Sequence, residues 1–531
     1  MTKPSSPASV TTFTGAGHPL HDPSLFSFFP PSTDEAPFLK PHPPSSTLPP
    51  LMAEVSSILS LSLPLVLTGL LLYFRSLISM VFLGRLGPIP LAGGSLALGF
   101  ANITGYSVLS GLAAGMDPIC GQAHGARHPR QLDAALRRTV LLLLSASLPI
   151  SILWLSIRRI LLLCRQDPAI ADAAQSYILC SLPDLLIQSF LHPLRIFFRS
   201  QSITLPLTSA AAVAAAFHFP ISLLLVSYLR LGIPGVALSS VLSNVIFVIV
   251  LAAYLHLCTA GSVTGGLLCS SNNGTLSLHG WGCLLSLAVP SCASVCLEWW
   301  WYEILFLLCG LLPRPQSTVA AMGLLIQTTS LIYIFPHSLR AAVSTRVSNE
   351  LGANRPDRAR RVAAVGLAGG ALLGLAALSF SFSVRHVWAK MFTGDEEIAK
   401  LMAAVLPILG FCELGNCPQT TGCGVLRGSA RPFHAAHINL VSFYGVGMPV
   451  AVGLAFWAGL DFSGLWLGLF AAQATCLALN LAVVSGTDWD RQARRAQFLV
   501  GGSSLAAAGD VNGDEETQGS KPIGIKIEVL F

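Results

Sequence analysis

The chain has 531 residues, 53% of them hydrophobic and only 11% charged, and its mean hydropathy is +0.66. A soluble domain carries about 25% charged residues, so this balance excludes a water-soluble globule and points to a polytopic membrane protein. The formal net charge of +6 is modest and spread over short segments, which fits membrane topology rather than nucleic-acid binding.

Residues 1 to about 50 are rich in Pro and Ser, with Pro30-Pro31 and Pro43-Pro44 among them. Such a segment cannot bury a core and is expected to be a disordered cytoplasmic tail. It lacks a basic start followed by an apolar core, so it does not read as a signal peptide. Apolar runs follow at 54–83, 91–116, 134–163, 170–197, 203–228 and 231–257. After a Gly/Ser loop at 258–280 come 281–312, 318–344, 362–391, 397–424, 431–458 and 461–485. Crossing a bilayer takes about 20 residues, so these runs predict an all-α polytopic membrane protein of about twelve transmembrane helices. The expected organisation is a six-helix lobe at 51–257, the loop, a six-helix lobe at 281–485, and a cytoplasmic tail at 486–531. That tail opens with a basic patch (Arg491, Arg494, Arg495) and reads as disordered beyond it.

The two halves are copies. Pro64 and Pro290, and Gly84 and Gly310, stand 226 residues apart; Gly125 and Gly352, and Pro129 and Pro356, stand 227 apart. Arg199 and Arg427 are separated by 228, and Gly235 and Gly464 by 229. An offset that drifts by single residues in one direction is what duplication with rare small insertions leaves. Six helices per copy make the repeats parallel, related about the membrane normal, with a cavity between two pseudo-symmetric lobes. Basic residues cluster after helix two (Arg127, Arg130, Arg137, Arg138), four (Arg195, Arg199), eight (Arg340, Arg346, Arg355, Arg358, Arg360, Arg361) and ten (Arg427, Arg431). Both termini are then cytoplasmic, although Arg158, Arg159 and Arg165 blur the bias. These basic segments read as topology determinants and lobe-packing elements rather than ligand sites. The sequon at Asn273 would stay unmodified on the cytoplasmic side.

Thirteen cysteines fall mostly inside apolar segments without metal-ligand spacing, so they act as small apolar residues. Neither a metal site nor a cofactor is expected. The absence of a P-loop excludes an ATP-driven motor within the chain.

The chemistry concentrates in Cys296-Leu-Glu-Trp-Trp-Trp-Tyr-Glu303, inside the seventh run. A carboxylate at such depth costs about 3 kcal/mol on the most lenient insertion scale, so Glu298 and Glu303 should face protein or a wet cavity. Five residues of separation turn them roughly 140° apart on a helix. Glu298 shares a stripe with Tyr302 and Leu305, and Glu303 is expected to stack on Trp299 and Trp300. Carboxylates beside aromatics suit a proton and an organic cation.

Five blocks in order resemble the plant multidrug and toxic compound extrusion (MATE) transporters, the DETOXIFICATION proteins. They are Tyr73-Phe-Arg-Ser-Leu-Ile-Ser-Met-Val-Phe-Leu-Gly-Arg-Leu-Gly87, Gly121-Gln-Ala-His-Gly-Ala-Arg127, the Cys296–Glu303 stretch, Arg346-Val-Ser-Asn-Glu-Leu-Gly-Ala-Asn-Arg355 and Gly424-Val-Leu-Arg-Gly-Ser429. The resemblance spans about 50–490. It implies a two-lobed antiporter driven by protons or sodium, with coupling acids on helices seven and ten, here Glu298, Glu303 and Glu413. Bacterial relatives carry an aspartate on helix one, whereas the body of this helix one, beyond Glu54 at its start, has no acid and carries Arg75.

Further cavity-lining candidates are Trp299, Tyr302, Asn416, Asp184 and Arg75. Glu413 lies three residues before Asn416, and Pro418 should kink that helix. Asp184 stands one position from the repeat equivalent of Glu413 and reads as a structural hydrogen-bonding group. Arg75 needs a counter-charge or an interface. The expected function is proton-coupled export of small organic compounds by alternating access, with Glu298 as the leading proton carrier. A cation is the favoured substrate, with anions and neutral compounds open, protons are favoured over sodium, and a monomer is expected. The alternative is a lipid-linked oligosaccharide flippase, which should show a more basic cavity for pyrophosphate. An intramembrane enzyme would need a nucleophile–base pair, and a receptor would not need the duplicated unit.

Overall fold

The computed structural model describes residues 50–164, 166–260, 278–391 and 394–509. The expectations for the Pro/Ser-rich tail before residue 50, for Arg165, for the sequon at Asn273 and for the chain beyond 509 lie outside the described residues. Twelve helices are long and apolar enough to cross a membrane: α1 Leu51–Leu86, α2 Pro88–Gly125, α3 Pro129–Leu155, α4 Pro168–Ser200, α5 Leu205–Tyr228 and α6 Ile233–Leu257 form the first six. The second six are α7 Gly280–Cys309, α8 Pro315–Gly352, α9 Pro356–Val384, α10 Glu396–Gly428, α11 Pro432–Trp457 and α12 Asp461–Ser485. No strand occurs among the described residues.

Local chemistry sets many of the starts. Proline opens α2, α3, α4, α8, α9 and α11, where its missing N–H would have lacked a partner anyway. Asp167 and Asp395, repeat mates 228 residues apart, cap α4 and α10 by accepting from the backbone N–H of Ala169 and Glu397, each at 2.8 Å; such caps contribute about 1 kcal/mol.

Three differences from the sequence reading matter. Helices α2, α4, α8 and α10 run past their expected ends, so Arg199, Arg346 and Arg427 lie within helices, as Arg195 and Arg340 do, rather than in the segments between them. The third run breaks at Ser156 and restarts as a short helix, Ile157–Leu163. The tail after 485 is not wholly irregular either: Trp489–Gly509 forms α13, because Ala493, Ala496 and Val500 present a buried face at helical spacing.

One apolar core fills the first lobe around Leu109, Leu143, Trp154, Phe198 and Phe247. Another fills the second around Trp301, Leu325, Leu409, Phe443 and Trp466. A third cluster joins Ile58 and Leu61 of α1 to Val343 and Val347 of α8 and to α13. The lobes meet where α2 lies along α7 and where α1 lies along α8. At the end that carries α13, α2 and α8 cross so closely that a Cβ on Gly125 would run into the Asn349 carbonyl, and one on Gly352 into the Gln122 carbonyl. These two glycines are repeat mates, which places the crossing on the pseudo-twofold axis. Across it Gln497 of α13 donates to the Gly352 carbonyl at 2.7 Å, and Gln131 of α3 donates to the Val500 carbonyl.

Candidate functional site

Glu298 sits on the wall of a small cavity in the second lobe. Its Oε1 accepts from the Tyr333 hydroxyl of α8 at 2.9 Å. Ser291, Ser294 and Val295 of α7, Arg340 of α8, Cys423 and Arg427 of α10, and Pro432 and Ala435 of α11 complete the lining. Its free room is about 10 Å³, space for roughly one water molecule. The wall is more basic than acidic: two guanidinium groups share it with one carboxylate. The charge pattern assigns these arginines to the segments after helices eight and ten, whereas the structure puts them within α8 and α10, on the cavity wall.

Glu413 is 2% exposed. Its Oε2 accepts from Asn416 Nδ2 at 2.9 Å and from the Cys417 thiol at 3.8 Å, and no cation lies within ion-pair distance among the described residues. Helix α10 continues through Pro407 and Pro418. Gly370 and Gly374 let α9 approach the backbone at Pro418 and Leu414, where a Cβ would come within 2.8 and 3.0 Å of their Cα atoms. Tyr302 of α7, one helical turn after Glu298, packs against the second-lobe core. The structure therefore joins Glu298 to Tyr333 and Glu413 to Asn416, on helices α7, α8 and α10 of the same lobe.

Glu303 stands apart from these pairs. It is half-buried and faces Gly99 of α2, with its Oε2 3.7 Å from where a Cβ would stand. The expected stack of tryptophans on Glu303 is not what organises this stretch. Trp299 is exposed; Trp300 donates its Nε1–H to the Ile103 carbonyl of α2 at 3.0 Å, across the lobes. Trp301 is fully buried against Phe443 and Tyr444. Ile103 belongs to a wide turn of α2 at Asn102–Tyr106, and such a bulge frees a carbonyl for an outside donor.

In the first lobe Asp184 is 4% exposed and well satisfied. It accepts from Tyr106 of α2 at 2.9 Å, from Asn244 of α6 at 2.7 Å and from Gln188 at 3.3 Å. Arg75 of α1 donates to Asn244 Oδ1 at 2.6 Å, so the sought counter-charge reaches it through an amide.

Asp117 of α2 escaped the sequence reading. It pairs with Arg199 at 2.7 Å and accepts from Ser344 of α8 at 3.0 Å. Ser344 is its repeat mate, 227 residues on, just as Arg427 is the mate of Arg199. Following the repeat offset through these positions would have exposed the pair. Among the described residues no group of three or more His, Cys, Asp or Glu side chains is placed to hold a metal ion.

Comparison with known proteins agrees with this architecture. The MatE family model matches residues 64–224 and again 290–452. The chain is 59% identical over 461 residues to Protein DETOXIFICATION 49 of Arabidopsis thaliana, covering 87% of this chain and 91% of that relative. Identity to Protein DETOXIFICATION 51 of the same plant is 52% over 496 residues, 91% of each chain. The crystal structure of the eukaryotic MATE transporter AtDTX14 is similar at a TM-score of 0.80 and 30% identity, over 85% of this chain and 100% of that one. With its duplicated six-helix halves and these relatives, the chain belongs to the MatE family and is a multi-pass membrane transporter of that family.

Proposed function

We propose that the protein exports small organic compounds in exchange for protons, by exposing a cleft between its two lobes alternately to the two sides of the membrane. The observation that carries the reading is the pair of second-lobe acids, Glu298 and Glu413. One carboxylate lines a cavity and accepts from the Tyr333 phenol, and the other is buried with no cation beside it among the described residues. Such a group can take up and release a proton within the protein while a cargo site next to it opens and closes. Glu303, at the seam with α2, is placed to sense the relative position of the lobes.

The tight crossing of α2 and α8, braced by α13, is the cytoplasmic gate in this reading. A cavity of about 10 Å³ is far smaller than the 300–1,000 Å³ of ordinary ligand pockets, so cargo enters only when the lobes part. The driving force is adequate: one pH unit supplies about 1.4 kcal/mol, and 100 mV adds about 2.3 kcal/mol per charge moved. A solved relative in fold is described as a multidrug resistance MATE family transporter, and curated relatives carry the name DETOXIFICATION; both support export, whereas the two guanidinium groups on the cavity wall are the basic lining that a lipid-linked pyrophosphate would need.

The test is flux in proteoliposomes holding the full-length protein, with a panel of labelled organic compounds under an imposed proton or sodium gradient. A proton gradient alone should drive accumulation of at least one compound. Accumulation driven only by sodium, or indifferent to both gradients, would refute the proposal.

A further inference from the structure

Helix α13 lies outside the two segments that match the family model, yet it sits on the pseudo-twofold axis, over the crossing of α2 and α8. Its start is fixed to the second lobe. Three residues, 486–488, join it to α12, and Arg431 at the start of α11 donates to the Thr487 hydroxyl at 2.9 Å. Asp488 caps its first turn by accepting from the Arg491 backbone N–H at 2.9 Å. Its buried face is built of small side chains, Ala493, Ala496 and Val500, which let it come down close on α8 and α9. Gln497 Nε2 then donates to the carbonyls of Gly352 at 2.7 Å and Leu351 at 3.4 Å, where α8 ends.

The far part of α13 reaches the first lobe. It packs on the end of α2, and Gln131 of α3 donates to the Val500 carbonyl. Ala123 of α2 shares one apolar core with Leu132 and Ala135 of α3, so the ends of these two helices move together. The crossing beneath has no slack. A Cβ on Gly121 would overlap the Ser348 hydroxyl, just as Gly125 and Gly352 each lie against the backbone of the facing helix. Helix α2 cannot slide along α8 there and has to lift away. Lifting it takes Gln131 with the first lobe, while α13 stays with the second through α12 and Thr487. On the opposite flank Arg346 of α8 pairs with Glu54 of α1 at 3.0 Å, a second tie between the lobes that does not involve α13.

We propose that α13 is an autoinhibitory strap: it is carried by the second lobe, grips the first through Gln131 and the end of α2, and keeps the cytoplasmic gate shut until it lets go. The inference rests on the reading of this crossing as the cytoplasmic gate and adds the element that controls it. Because the Glu54–Arg346 pair remains, a weakened strap speeds opening without leaving the gate permanently open.

The test uses the full-length protein, in lipid nanodiscs for accessibility and in proteoliposomes for flux. Ser348→Cys reports on the crossing, since a thiol there meets a bulky maleimide only when α2 leaves α8; the modified site is read by peptide mass. Gln131→Ala combined with Gln497→Ala removes hydrogen bonds to both lobes and should raise the labelling rate about tenfold. Arg494→Gln, on the exposed face of α13, should leave the rate unchanged. A second arm locks the strap instead. Gly501→Cys, where a side chain meets open space, is joined to Gln131→Cys by a short bis-methanethiosulfonate linker. The linked protein should lose both labelling at the Ser348→Cys position and flux, and reductant should restore both; either cysteine variant alone, treated in the same way, should lose neither. The link is made after folding, so this arm decides the matter if the alanine variants are unstable. Unchanged labelling and flux in the linked protein, or an unchanged labelling rate in a folded alanine pair, would overturn the proposal. Failure of the export reading shows itself separately, as the absence of gradient-driven flux in the unlinked protein while labelling at the crossing still follows the strap.

Discussion

Asp184 in the first lobe and Glu413 in the second stand one position apart in the repeat, on corresponding helices, and are 4% and 2% exposed. Their company differs. Asp184 is bound by donors on α2, α4 and α6, and through Asn244 it is linked to Arg75 on α1. Glu413 is bound only by Asn416 and Cys417 of its own helix. Changing the charge of Asp184 disturbs ties among four helices, whereas Glu413 can gain or lose a proton without breaking any hydrogen bond between helices. Under the proposed export cycle, the first lobe's acid serves architecture and the second lobe's is the one available for exchange.

The largest expected effect is therefore at Glu413. Glu413→Gln preserves size and the bond to Asn416 but removes the proton equilibrium, so gradient-driven flux should fall to background while the protein folds and still binds cargo. Flux and ligand-induced stabilisation, measured on the same preparation, check both halves of that statement. Glu298→Gln should lower flux about tenfold, equivalent to ~1.4 kcal/mol, and should alter its pH profile, because this residue sets the charge of the cavity wall. Wild-type flux with an unchanged profile would remove Glu298 from the exchange group.

Asp184→Asn sharpens the comparison from the other side. The amide turns a donor toward Asn244 or Gln188, both already donors, and a buried unsatisfied group costs about 1–3 kcal/mol. The melting temperature should drop by a few degrees while flux per folded molecule is retained. Loss of flux at an unchanged melting temperature would mean that the first lobe also carries coupling. The smallest effect is at Trp300→Phe, which removes the donor to Ile103 across the seam and should cost about 1 kcal/mol with transport largely intact.

Much of this was legible in the chain. Twelve apolar runs and the slowly drifting repeat offset gave the helices and their duplication, because bilayer thickness imposes length and composition directly. Glu298, Glu303 and Glu413 stood out because a carboxylate in an apolar run is costly wherever it points. What they touch was not legible. Tyr333 meets Glu298 from 35 residues away and Asn244 meets Asp184 from 60, and such partners are set by helix rotation and lobe packing. The inward arginines were hidden for a related reason. Charge near the end of an apolar run looks like a loop, yet Arg340 lies inside α8, and α4 and α10 extend past their apolar runs and carry Arg199 and Arg427 with them.

The central claim is that exchange chemistry resides in the second lobe and structural charge in the first. The most direct measurement is proton-driven flux from about pH 5 to 8 in proteoliposomes for Glu413→Gln and Asp184→Asn, normalised to folded protein. The account predicts that Glu413→Gln loses its response to the proton gradient while retaining exchange of cargo for cargo, and that Asp184→Asn keeps the wild-type profile. A wild-type profile in Glu413→Gln together with a lost gradient response in Asp184→Asn would contradict it.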